Sequence, residues 1–172
     1  PLLLPLLDQP CPVERMSVVY ALGRNPCPSA VEKLVSLLET DDNAYVRRAT
    51  AWSLANYDNQ IVLEPLINAL KNDVAAVRLW SSSSLAEIGN VSLKNAQLAA
   101  EQLLISLKID NEPGVRSNCI WSLCRLYEKL NNTFQESFVD ECTKIALFDK
   151  EPSVMEEAKT ALDSMGMQGF YN

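Results

Sequence analysis

The sequence predicts an all-α chain folded as a solenoid of about five helical hairpins. Two observations carry this: a set of residues that recurs at fixed spacing, and apolar positions with a helical period. Arg15, Arg47, Arg78 and Arg116 recur along the chain, with Met155 at the fifth equivalent place. Seven residues after each anchor stands Leu22, Leu54, Leu85, Leu123 or Leu162. Five to seven residues before each stands Asp8, Asp41, Asp73, Asp110 or Asp149. Agreement at three positions over five units marks a repeat array.

Each unit reads as two helices. The first is an apolar run, as in 30–38, 62–70 and 99–107, with helical spacing. A turn carrying the Asp follows, twice with Glu-Pro ahead of the next helix (Glu112-Pro113 and Glu151-Pro152). Proline suits the first turn of a helix, where its missing N–H leaves no bond unmade. The second helix runs from there through the Arg to the Leu. The expected units are 1–27, 28–59, 60–91, 92–131 and 132–172, forming a single domain. Each buries its apolar stripe against its neighbours.

The pattern D-x-x-x-x-V-R-x-x-A-x-x-x-x-L in 41–54 and D-N-E-P-G-V-R in 110–116 resembles the HEAT-repeat family. It is most similar to the short HEAT-like repeats of the phycobilisome-lyase group. The resemblance covers essentially the whole chain and implies a right-handed α-solenoid of HEAT-like repeats. It also implies second helices on the concave side and an Asp–Arg ladder between adjacent repeats. Repeat five has Met155 in place of the arginine, so its rung is expected to be missing. The Asp is further expected to cap the following helix, and the Arg to tie neighbouring turns. Both roles are structural.

Composition narrows the function. The net charge of −7 and pI of about 4.6 argue against a phosphate-backbone partner, which needs a dense basic surface. No nucleic acid is expected. No apolar run reaches the roughly 18 residues that span a bilayer, and the opening PLLLPLL lacks the marks of a signal peptide. A chain that begins at Pro1 is expected to be a piece of a longer protein, with the number of preceding repeats open. Five irregularly spaced cysteines point to reduced thiols and a cytoplasmic setting. Histidine is absent, which removes the commonest general base and metal ligand. No phosphate loop or nucleophile elbow is present. Catalysis by this chain alone is not expected.

The candidate site lies on the second helices. Counting from each Arg at 100° per residue, positions −1, +2, +3, +6 and +7 form the expected core arc. Positions +1, +5, +8 and +12 form the opposite arc. There stand Tyr20, Trp52, Ser83 and Trp121 at +5, Arg48 and Leu79 at +1, Cys124 at +8 and Glu128 at +12. Two readings stay open for the aromatics: anchors on a concave binding surface, or packing against neighbouring second helices. Trp80, at +2, is expected in the core. Cys124 is the one weak metal candidate, as a single ligand in a site shared with a partner.

The expected function is a non-catalytic scaffold that grips a protein partner in its concave groove. The resemblance extends to cyanobacterial HEAT-repeat partners of A-type (IscA-like) iron–sulfur scaffold proteins, which implies a role in cluster assembly. The alternative is a phycobilin lyase subunit acting on a phycobiliprotein, with a linear tetrapyrrole stacked in the groove. Arg48 or Arg125 would then pair the bilin propionates. An iron–sulfur cluster bound by this chain, or shared with a partner, is the third.

Overall fold

The computed structural model describes residues 2–167 and 169. Among them are nine α-helices and no strand: α1 (Pro12–Arg24), α2 (Val31–Thr40), α3 (Ala44–Leu54), α4 (Leu63–Asn72), α5 (Ala75–Gly89), α6 (Leu93–Ile109), α7 (Pro113–Leu126), α8 (Asn132–Phe148) and α9 (Pro152–Ser164). The odd-numbered helices carry the four Arg anchors and Met155, and the even-numbered ones the preceding apolar runs. The wider spacing of the last anchors has a simple source. Helices α6 and α8 have 17 residues each, against 10 in α2 and α4.

The first unit departs from the two-helix expectation. Ahead of α1 there is only a 3-10 turn, Leu4–Asp8, which starts with Pro5 in its first turn and buries Leu7. Elsewhere the local signals work as their chemistry requires. Pro12, Pro113 and Pro152 open α1, α7 and α9. Asn43, Ser92 and Asn131 cap α3, α6 and α8 with side-chain oxygens that accept otherwise unpaired amides.

The helices form two layers. Helices α1, α3, α5, α7 and α9 pack in succession, each against the next, while α2, α4, α6 and α8 meet one another more sparsely. The tighter layer takes the inner side of a curved solenoid, which puts the second helices on the concave face. One continuous apolar core lies between the layers. It includes all five leucines of the repeat, and Val46, Val77, Val115 and Val154 just before the anchors.

The Asp–Arg ladder closes the stack along its turn edge. Arg15 grips Asp41 of the next hairpin through Nε and Nη2 at 2.8 and 2.9 Å. Arg47 grips Asp73 at 2.8 and 2.7 Å, and Arg78 grips Asp110 at 2.7 and 2.8 Å. Arg116 grips Asp149 at 3.3 and 2.8 Å. Each Arg also donates Nη1 to a carbonyl of its own turn, such as Asp41 O at 2.7 Å from Arg47. Bidentate pairing of this kind fixes orientation as well as distance. Met155 contributes no rung.

The aspartates do not cap the second helices in the expected way. Asp41, Asp110 and Asp149 accept the amide two residues on, at 2.9–3.0 Å, and Asp73 accepts the next amide at 2.7 Å. These are tight Asx-type turns that finish before the helix starts. The capping residue is the one that follows, Asn43 for α3. The Asp therefore shapes the turn for its rung, and a separate residue starts the helix.

Candidate functional site

Side-by-side packing of the second helices decides what each position can offer. Ser84 Oγ, at +6 on α5, donates to Ala51 O, at +4 on α3, at 2.8 Å. Ser122 Oγ, at +6 on α7, donates to Ser82 O, at +4 on α5, at 2.9 Å. Asn118 Nδ2, at +2 on α7, donates to Leu79 O, at +1 on α5, at 2.9 Å. So the +1, +4 and +8 flank of each helix meets the +2 and +6 flank of the next. Ser53 occupies the same +6 place on α3, where its buried hydroxyl has no hydrogen-bond partner. Position +6 is Ala or Ser in every repeat (Ala21, Ser53, Ser84, Ser122, Ala161) because the backbones approach closely there.

This packing turns the solvent-facing stripe by about 60° from the expected arc. Position −2 is exposed in all five second helices (Val13, Tyr45, Ala76, Gly114, Ser153), and so is +9 (Arg24, Asn56, Glu87, Arg125, Ser164). Position +5 adjoins them on the helix surface. Position +8 is not a surface position in the middle of the stack: Gly23 and Ala86 are buried and Cys124 is half-buried. Position +12 falls beyond the helices. Glu128 sits in the 3-10 turn Tyr127–Lys129 after α7 has ended at Leu126, so it shares no helical face with Trp121.

The three aromatics at +5 differ. Trp52 is half-buried, its ring against Tyr20 with centroids 5.4 Å apart and planes tilted by 57°. Its six-membered edge lies on Gly23, where an added Cβ would come within 2.5 Å of Trp52 Cζ3. Tyr20 is half-buried in the same contact. Trp121 is 40% exposed, and the place on α5 equivalent to Gly23 is Ala86. Ser83, between the two tryptophans, is half-buried and tied to Asn118.

Trp80 corrects the expectation of a core position. It is 37% exposed, whereas Ala49 at the same +2 place on α3 is buried. Tyr45, at −2, is 63% exposed and was not singled out by periodicity. Arg48 is half-buried with its guanidinium over the Tyr45 ring at 5.4 Å. Leu79 is half-buried beside Gly114 of α7. Arg125 lies over Trp121 at 5.0 Å and is held there by Glu87 at 2.7 Å. The stripe thus runs Tyr45, Arg48, Trp52, Trp80, Ser83, Trp121 and Arg125 across α3, α5 and α7.

Two cavities deserve comparison. One of about 210 Å³ is lined by Ser83, Ser117, Asn118, Trp121 and Glu157, on the concave face. A larger cleft of about 520 Å³ lies at the turn edge, lined by Leu38, Pro65, Arg47, Asp73 and others. In the second, Arg47 and Asp73 already satisfy each other, so its charge is internal to the ladder.

The cysteines offer no ligand set. Burial pushes the Cys124 thiol up to about 11, with the Glu157 charge adding to it, so it stays protonated at neutral pH. Burial raises Cys119 and Cys142 as well. Among the described residues no group of three or more His, Cys, Asp or Glu is placed to hold a metal ion. No helix among them is long and apolar enough to cross a membrane.

The family model for HEAT repeats matches residues 1–86 and 31–124, together most of the chain. The chain belongs to the HEAT-repeat family. No curated protein matches it. Solved structures share the HEAT-like fold. The complex of CpcE and CpcF of phycocyanin lyase from Nostoc sp. PCC7120 matches with TM-score 0.71 and 22% identity, over 94% of this chain and 96% of that one. A designed armadillo repeat protein in complex with the peptide (KR)4 matches with TM-score 0.65 and 19% identity, over 98% and 88%. An engineered protein matches with TM-score 0.67 and 22% identity, over 93% and 78%.

Proposed function

We propose that this HEAT-repeat chain is a non-catalytic scaffold that grips a partner polypeptide along its concave second-helix face. One observation carries the reading: Trp80 and Trp121 are exposed where the fold has no need of them. Trp80 and Trp121 stand at positions that other repeats fill with Ser17 or Glu157 and with Ser83 or Thr160. The ladder and the serine bridges hold the helices in register without either indole. Large, rigid aromatics lose little entropy on binding and often dominate interface energy. Two of the similar folds are known in protein or peptide complexes, which supports the same use here.

The partner stays open between an A-type iron–sulfur scaffold protein and a phycobiliprotein subunit. The second follows the fold shared with the phycocyanin lyase complex. Immobilised wild-type chain is expected to retain a partner from source-cell extract that a Trp80→Ala/Trp121→Ala chain loses, with both proteins equally folded by circular dichroism. Equal retention by the two chains overturns the reading. Titration with phycocyanobilin separates the alternative: a saturable shift of the visible band, lost in the double variant, favours a bilin-handling subunit.

A further inference from the structure

The cavity beside Trp121 has an unusual balance of polar atoms. Asn118 gives its amide nitrogen to Leu79 O at 2.9 Å and to Ser82 and Ser83 on α5. A backbone carbonyl can only accept, so the nitrogen is fixed on that side and Oδ1 is left as the acceptor of a side chain that lines the cavity. Oδ1 has no partner among the described residues. Glu157, from α9 on the opposite wall, has neither an ion pair nor a hydrogen bond there. Ser117 offers a hydroxyl that bonds to nothing else described.

The aromatic wall follows the same logic. The Arg125 guanidinium takes one side of the indole and is neutralised by Glu87. Arg125 does not line the cavity, so the cavity opens on a part of Trp121 away from that cation. What remains in the lining is an electron-rich ring, a carboxylate and an amide carbonyl oxygen, beside two serine hydroxyls. Such a lining favours a cation and disfavours an anion. A volume of about 210 Å³ suits the head of one long side chain and not a whole cofactor.

We propose that this cavity receives a lysine or arginine side chain from an extended segment of the partner. The carboxylate of Glu157 and Asn118 Oδ1 accept its N–H groups, and Trp121 packs on its stem and charge. The segment continues toward Trp80 and the side of Tyr45 that the Arg48 guanidinium leaves open, which supply apolar contact on the α3 side. The chain's net charge of −7 draws a basic segment in at long range, and the cavity fixes where it sits. This rests on the concave-face reading above and adds the chemistry of the occupant.

Calorimetric titration of the intact chain with an alternating Lys–Arg octapeptide tests it, with a Glu–Ser octapeptide as the opposite-charge probe. The basic peptide is expected to bind and the acidic one not to bind. Glu157→Gln is expected to weaken binding about tenfold and Trp121→Ala by at least as much. Glu64→Gln removes the same charge from an exposed place on α4 and is expected to change binding less than twofold. Equal losses in Glu157→Gln and Glu64→Gln overturn the proposal in favour of diffuse charge attraction. Spermine binding as tightly as the peptide overturns it in favour of any polyamine. A partner still lost from the Trp80→Ala/Trp121→Ala chain, with no preference for the basic peptide, overturns the cation cavity alone and leaves the groove in place.

Discussion

Trp52 rests on the backbone of the preceding second helix at Gly23, so closely that a methyl group there would meet its ring at 2.5 Å. Gly23 has ordinary helical backbone; what it supplies is space. The indole fills it and reaches Tyr20 beyond. Trp52 is therefore a packing residue first, with only its outer edge on the binding stripe.

Replacing Gly23 with Ala is expected to displace Trp52 and to destabilise the chain by about 1–3 kcal/mol, the usual effect of overpacking. Urea unfolding followed by tryptophan fluorescence measures both consequences. The emission of Trp52 should shift to the red before unfolding begins. Trp121→Ala removes a more exposed ring and is expected to cost less than about 1 kcal/mol.

The ladder gives the second prediction. Arg47→Ala leaves Asp73 half-buried and unpaired, which is expected to cost about 1–3 kcal/mol. Met155→Arg, at the end of the ladder, is expected to change stability little, since no aspartate beyond α9 faces it among the described residues. Thermal melts of the two variants decide between a working ladder and an ornamental one.

The same pairs set the response to acid. At Asp41, Asp73 and Asp110 burial works against the charged form, but the paired guanidinium and the turn amides outweigh it. Their carboxyls lie below the ordinary value of 3.8. A folded carboxyl lowered in this way adds stability that is complete above about pH 4. That stability is lost as pH falls through the lowered folded values. Unfolding free energy is thus expected to drop steeply below pH 4, and less steeply in Asp73→Asn. An equal slope in the variant contradicts this origin.

The repeat, its helices and its ladder are legible in the sequence because they rest on residues few alternatives can replace. A bidentate rung needs Arg and Asp, and the core needs its Leu. The site was less legible for a physical reason. A second helix here is buried on three sides, and one of those sides is lined at +6 by Ala or Ser in every repeat. Hydropathy does not distinguish Ser82, Ser84 and Ser122, which are wholly buried, from serines in water. The expected arc is therefore turned away from the exposed one. It took in Cys124 and left out Tyr45 and Trp80. Glu128 was lost because counting at 100° per residue continued past the end of α7. The −2 and +9 positions carry the missed signal: neither holds a residue that the repeat requires.

Thiol chemistry checks the buried positions. Ser29 holds the Cys27 thiol below its usual value, and Cys11 is exposed. Burial raises Cys119, Cys124 and Cys142. Native chain at pH 8 is expected to alkylate rapidly at Cys11 and Cys27 and slowly at the other three, as read by peptide mass mapping. Rapid labelling of Cys124 contradicts its place between α7 and α9.

The serine bridges give a further prediction. Ser122→Ala deletes one interhelical hydrogen bond and is expected to cost about 1 kcal/mol. Ser122→Val adds bulk where α5 and α7 approach and is expected to cost more, about 1–3 kcal/mol. If the two variants melt together, close approach of the second helices is not what the serines provide.

Hydroxyl-radical footprinting of the chain, alone and with its captured partner, tests the central claim most directly. The concave-face account predicts that Trp121, Trp80 and Tyr45 lose reactivity several-fold in the complex. Ile109 and Phe148, exposed at the ends of α6 and α8, should keep theirs. Protection of Ile109 and Phe148 with the three aromatics unchanged would place the partner on the turn edge and contradict the account.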